Sequence, residues 1–176
     1  VDNGNPPEAL AALAGRKKLT LVTGHGNVGF SRGCNLGAAN AKGNFLAFLN
    51  PDLLIEPGCI VALAEAARVG KAPCIAGARI LWPDGSEQRG GRRDTITPWT
   101  ALVSAAGLGR FEGAIPIFRD PHRDGDPAPD KPVAVGAVSG AALLMSRAAF
   151  AMLGGFDEKY FLHAEDLNLC RRATEA

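Results

Sequence analysis

The sequence predicts an α/β fold with a mostly parallel central sheet, on three observations. Phe45-Leu46-Ala47-Phe48-Leu49 is an unbroken apolar run of strand length between Gly43-Asn44 and Pro51. That is the pattern of a strand covered on both faces, as strands of parallel sheets are. Residues 58–69 place Ile60, Leu63, Ala64 and Ala67 on one helical face and end at Gly70. Residues 139–145 form a second small and apolar run, entered through Gly140.

The 176 residues suffice for one domain with a real core, and 47% hydrophobic with 21% charged residues is ordinary globular composition. A net charge of +1 leaves no electrostatic footprint for nucleic acid. Cys34, Cys59, Cys74 and Cys170 are scattered, without C-x-x-C or a histidine at ligand spacing. This favours reduced thiols in a cytoplasmic setting over a disulfide framework or a zinc site. No apolar run reaches the roughly 18 residues that a membrane span requires.

Taken in order, Pro6-Pro7-Glu8 opens a short helix through Leu13, with proline in its first turn and Gly15 as a stop. Leu19-Thr20-Leu21-Val22-Thr23 reads as a strand. It runs into Gly24-His25-Gly26-Asn27-Val28-Gly29, a G-x-G-x-x-G match between a strand and a helix. In a dinucleotide-binding unit such glycines let the backbone approach a pyrophosphate, and Asp52, 23 residues beyond Gly29, would be the accompanying acid. An NAD- or FAD-dependent oxidoreductase is therefore one alternative reading.

Gly33, Cys34, Gly37, Ala38, Ala39 and Ala41 make residues 31–42 a small-residue helix able to lie close to a sheet or a ligand. Residues 75–81 are a further strand, closed by Pro83-Asp84-Gly85. Residues 84–132 are irregular, with one helical patch near 99–107. Arg89, Arg92 and Arg93 read there as solvated side chains, with an anion clamp as the alternative. Ser146 starts a short helix that stops at Gly154-Gly155. Glu165-Asp166 opens the last helix, where acids meet the positive end of the dipole.

Asp52 follows the first apolar run directly, and open α/β sheets bind ligands beyond the carboxyl ends of their strands. Pro51 cannot continue the ladder and restricts the backbone just before the carboxylate. A carboxylate so placed can hold Mg²⁺ or Mn²⁺, whose shell is completed by substrate phosphate and water. A plain turn or a helix N-cap is the competing reading.

Six stretches then combine: Val1-Asp2-Asn3; Asn27-Val28-Gly29-Phe30 with Asn35; Leu49-Asn50-Pro51-Asp52; Ser139-Gly140-Ala141; Gly154-Gly155-Phe156-Asp157-Glu158; and Glu165-Asp166 with Arg171. In order and spacing the chain resembles the family 2 glycosyltransferases of the GT-A fold, in particular rhamnosyltransferase-like bacterial members. The resemblance implies one domain over residues 1–176, apparently truncated at both ends. Its Rossmann-like sheet would lack its first strand, and residues 84–132 would form an irregular acceptor-side insertion.

It also implies roles. Asp2 would contact the nucleotide base, and Asn27, Gly29, Asn35, Asn50 and Asp52 would complete the donor site. Asp52 would hold a divalent cation, Mg or Mn, on the diphosphate. Ser139, Gly140 and Arg171 would meet the acceptor. Asp166 would be the general base, with Glu165 beside it in support, because neighbouring helical residues point about 100° apart and cannot both face one hydroxyl.

The implied reaction is inverting transfer from a nucleoside-diphosphate sugar, dTDP- or UDP-linked ahead of GDP-linked, to a hydroxyl of a cell-surface glycan or lipid-linked precursor. The implied setting is cytoplasmic, with peripheral association at the inner face of the membrane and no nucleic-acid partner. Two departures stand out: Asn168 where the family often has a further acid, and His163 where an aromatic residue is common. A non-catalytic, truncated domain of the same kind is the third reading.

Overall fold

The computed structural model describes residues 1–13 and 15–176. In chain order its elements are α1 (Pro7–Ala11), α2 (Phe30–Asn40), β1 (Phe45–Leu49), α3 (Cys59–Val69), β2 (Ile75–Gly77), β3 (Arg92–Arg93), α4 (Pro98–Ala105), β4 (Ala137–Val138), β5 (Ala142–Ser146), α5 (Arg147–Met152) and α6 (Glu165–Glu175). Two 3₁₀ turns, Leu108–Phe111 and Pro116–Phe118, follow α4.

The main sheet has the order β1-β5-β2, and β5 runs antiparallel to both neighbours, pairing Leu46 with Met145 and Ile75 with the same Met145. β1 and β2 thus point the same way with a reversed strand between them. The mostly parallel arrangement is visible only in that shared direction, because every strand pairing among the described residues is antiparallel.

The two unbroken apolar runs behave differently. β5 is the strand covered on both faces. Leu143 and Met145 enter the large core with Phe48, Phe150 and Phe156, while Leu144 faces Leu63 of α3 and Ala76 of β2. β1, expected to be buried throughout, alternates instead: Leu46 and Phe48 are buried, whereas Ala47 and Leu49 are exposed. The reason is positional. β1 stands at the edge of the sheet, and among the described residues no strand covers its other side.

Four phenylalanines organise the large core. Phe156 meets Phe30, Phe48 and Phe150 in edge-on contacts with centroids 5.9, 5.1 and 5.8 Å apart. Aromatic pairs prefer this geometry, in which the positive ring edge faces the negative face.

Three expected elements shrink or change. Residues 19–23 do not form a strand; Val22 only accepts a bond from the Asp2 backbone N–H at 2.8 Å. The strand expected over 75–81 ends at Gly77. Arg92 and Arg93 are not solvated: they form β3, paired with β4, and their side chains are 12% and 13% exposed. Arg89, at 56% exposed, does match the solvated reading.

Candidate functional site

One end of the main sheet brings together residues far apart in sequence. Beyond the last pair of the β1–β5 ladder, Leu49 with Ala142, the Asn50 backbone N–H donates to Ala141 O at 2.8 Å. The neighbouring Gly140 N–H donates to Asp166 Oδ2 at 3.0 Å. A Cβ on Gly140 would lie 3.3 Å from the Asp166 Cβ, so a small residue lets α6 approach this closely. Asn50, Gly140 and Asp166 therefore share one edge, and Asp52 follows two residues after Asn50, exposed in the turn.

Asp166 is tightly held. Arg93 Nη2 reaches its Oδ2 at 2.8 Å, and the Leu167 N–H donates to its Oδ1 at 2.7 Å. The two ion-pair side chains are only 13% and 14% exposed, so the charges face each other with little water between them. Glu165 is still more buried, and its Oε2 has no hydrogen-bond partner among the described residues. Its charge is felt by Cys34 of α2, whose thiol is pushed up to about 12, by burial first and by this carboxylate second. The segment leading in is strained: His163 and Ala164 have φ of 74° and 66°, and Ala164 caps α6 without a side-chain bond.

A second cluster surrounds the loop before α2. Asn3 Nδ2 donates to Gly29 O at 3.0 Å, and its Oδ1 accepts from the Val28 N–H at 3.1 Å. Asn27 Oδ1 accepts from the Gly29 N–H at 3.0 Å. Asp2 is buried, and its Oδ1 accepts from the Asn5 backbone N–H and amide, both at 2.9 Å. These bonds, the backbone one foremost, hold its carboxyl below the usual carboxylate range.

Gly29, the last glycine of residues 24–29, faces the chain and not open space, whereas Gly24 and Gly26 have nothing within 4 Å of an added Cβ. At φ 82° a Cβ on Gly29 would meet Phe161 O at 2.6 Å, and the Phe30 N–H already donates to that oxygen at 2.8 Å. The close approach that Gly29 permits is to the turn ahead of α6.

Three other expected site residues are committed elsewhere. Asn35 clamps the Phe156 backbone, donating to its O at 2.9 Å and accepting from its N–H at 3.0 Å, and it also donates to Glu158 at 3.0 Å. Arg171 pairs with Glu175 at 2.9 Å on the exposed face of α6, away from Asp166. Ser139 accepts from the Ala141 N–H at 3.2 Å and shapes the turn into β5.

Sequence reasoning assigned no role to Asn3, and it read Arg93 as solvated. The signal for Asn3 was its place beside Asp2. For Arg93 no local signal existed, since its partner lies 73 residues away.

As for a metal, no group of three or more His, Cys, Asp or Glu able to hold an ion lies among the described residues. A single exposed carboxylate at Asp52 fits Mg²⁺ or Mn²⁺ arriving on a phosphate ligand, since such ions keep most of their shell in water and phosphate. No helix of the described residues is long and apolar enough to cross a membrane.

Over residues 1–145 the chain matches the family model described as Glycosyl transferase family 2, a match that ends before α6. It is 35% identical over 130 residues to the N-acetylglucosaminyl-diphospho-decaprenol L-rhamnosyltransferase of Mycobacterium tuberculosis, strain CDC 1551 / Oshkosh, and equally to that of strain ATCC 25618 / H37Rv. The aligned part is 72% of this chain and 40% of each relative, so the chain spans less than half their length. No solved structure matches.

Proposed function

The chain belongs to glycosyl transferase family 2, and on that premise we propose that it transfers a sugar from a nucleoside-diphosphate sugar to an acceptor hydroxyl, with inversion. The observation that carries this reading is the shared edge, where the Asn50-Pro51-Asp52 turn and Asp166 are tied through Ala141 and Gly140. The names of the mycobacterial relatives favour an L-rhamnosyl donor and an N-acetylglucosaminyl-diphospho-decaprenol-like acceptor; a dTDP or UDP carrier and a cell-envelope polysaccharide product complete the proposal. With a nucleotide-sugar donor and a lipid-linked acceptor, the proposed reaction would run at the inner face of the membrane. The family's GT-A sheet is the fold that goes with this reading.

Asp52 would hold Mg²⁺ or Mn²⁺, which when bound offsets charge developing on the departing diphosphate. Asp166 would take the proton of the attacking hydroxyl, a step that contributes roughly 10²- to 10⁴-fold to rate. Glu165 Oε2, buried and unpartnered, is the group that gains most from a bond to an arriving sugar hydroxyl. Asp2 and Asn27 remain donor-side groups. Asn35 acts by fixing α2 to the Phe156 turn, and Arg171, paired with Glu175 on the surface, remains an acceptor-side proposal.

The test is calorimetric titration of the full-length protein with UDP, dTDP and GDP, each with and without Mn²⁺, alongside a transfer assay. Asp52→Asn should abolish metal-dependent nucleotide binding, while Asp166→Asn should keep binding and lose transfer. Tight nucleotide binding that ignores both Mn²⁺ and Asp52→Asn would overturn the proposed donor site.

A further inference from the structure

We infer that Arg93, from the irregular segment 84–132, is a positioning residue that fixes which oxygen of Asp166 receives the proton; this rests on the reading of Asp166 as the base. A carboxylate has two oxygens with about two lone pairs each. On Oδ2 two donors converge, Arg93 Nη2 at 2.8 Å and the Gly140 N–H at 3.0 Å, which fills its acceptor capacity. Oδ1 accepts only the Leu167 N–H, at 2.7 Å. Oδ1 therefore keeps the one open lone pair, and it is the atom left to meet an acceptor hydroxyl.

Arg93 is itself held in place for this. It lies in β3, opposite Ala137 of β4, and the same Nη2 also donates to Val138 O at 3.4 Å. β4 in turn packs on α6, where Leu169 and Cys170 join Ala137 and Val138 in the core. The irregular segment is thus fastened to the base by one guanidinium. A lysine there would keep the charge on a shorter stem, without the rigid planar head that sets the direction of these two Nη2 bonds.

Full-length Arg93→Gln and Arg93→Lys are compared with Asp166→Asn in steady-state transfer, using a dTDP- or UDP-sugar with Mn²⁺ and a polyprenyl-diphosphate acceptor. Melting temperature and UDP or dTDP affinity are measured in parallel. Arg93→Gln should lower kcat about 10- to 100-fold, the scale of losses from small misplacements. Donor KM and nucleotide affinity should hold. Arg93→Lys should recover part of kcat, and added guanidinium should partly restore Arg93→Gln.

If Arg93→Gln proves too unstable to assay, Arg93→Lys alone decides, with a folded, fully active variant counting against the inference. Unchanged kcat in a folded Arg93→Gln, with Asp166→Asn dead, would overturn the role of Arg93 and leave the proposed function standing. Full transfer by Asp166→Asn would remove the base and the role of Arg93 together.

Discussion

Gly29 shows how a residue's meaning depends on what lies opposite it. Its φ of 82° and the Phe161 carbonyl 2.6 Å from where a Cβ would stand both exclude a side chain. Gly29→Ala should cost about 1–3 kcal/mol from the backbone conformation alone, more with the clash, and thermal denaturation will read it. Asn3→Ala removes two bonds to the same loop, leaving the Val28 N–H without its partner and Gly29 O with only the Gly33 N–H of α2. We expect about 1–3 kcal/mol of destabilisation and weaker nucleotide binding, measured by melting and by calorimetry. The cysteines offer a third check. Burial raises the thiols of Cys34, Cys74 and Cys170, of which only Cys170 is fully buried; Cys34, Cys59 and Cys74 are half-buried. A thiol-reactive maleimide should reach the buried Cys170 only on unfolding and label the half-buried Cys34 slowly in the native protein, because its raised thiol gives little of the reacting thiolate.

Among the elements, α2 illustrates a helix whose end is closed from a distance. The Ala41 N–H serves Gly37 O and Ala38 O at its end, and Arg147, at the start of α5, adds a bond to Ala38 O at 3.3 Å and holds the residues just beyond, Ala41 O at 2.5 Å and Gly43 O at 2.8 Å. Arg147→Ala should destabilise the protein by roughly 1–3 kcal/mol, since charge-assisted bonds to a helix end are lost together, and urea denaturation will measure it. Arg172 does the same for the turn after α5, reaching Leu153 O and Gly155 O. The sequence reading gave neither arginine a role. Nothing local distinguishes a solvated arginine from one that closes a helix more than 100 residues away, because long-range pairing has no sequence period. Helices with local signals were legible: Gly58 and Gly70 bracket α3 as expected, and the Ser146 hydroxyl caps α5 at 3.0 Å.

At the scale of the whole molecule, charge organises the segment 84–132 from within: Arg123 pairs with Asp94, Arg89 with Asp120 and Arg92 with Glu87. Arg93 carries one ion pair out of it, to Asp166, beside the β3–β4 backbone pairing. The Arg123 guanidinium holds Asp94 below the ordinary aspartate value of 3.8. Burial pushes Asp120 up, but the His122 N–H, the His122 ring and Arg89 outweigh it and hold it low as well. Lowered carboxylates add stability that is complete above about pH 3.8 and is lost as pH falls toward their folded values. Melting temperature should therefore be flat from about pH 7 to 5 and drop below about pH 4. Asp94 is 43% exposed, so its pair is worth at most about 1 kcal/mol. Asp94→Asn should lower the melting temperature by about 2–4 °C at neutral pH and flatten the acid slope.

By itself the sequence determined the local grammar: the apolar runs that became β1 and β5, the amphipathic α3, the caps and stops, and the order of motifs that marks the family. Periodicity and turn chemistry act over a few residues, so they survive without a fold. Only the tertiary structure decided that β5 lies centrally and antiparallel, that β1 stands at the edge, and that Asn35 serves packing. It alone joined Arg93 to Asp166 across 73 residues. Such pairings depend on which elements become neighbours when the core is buried, and no stretch of chain carries that information alone.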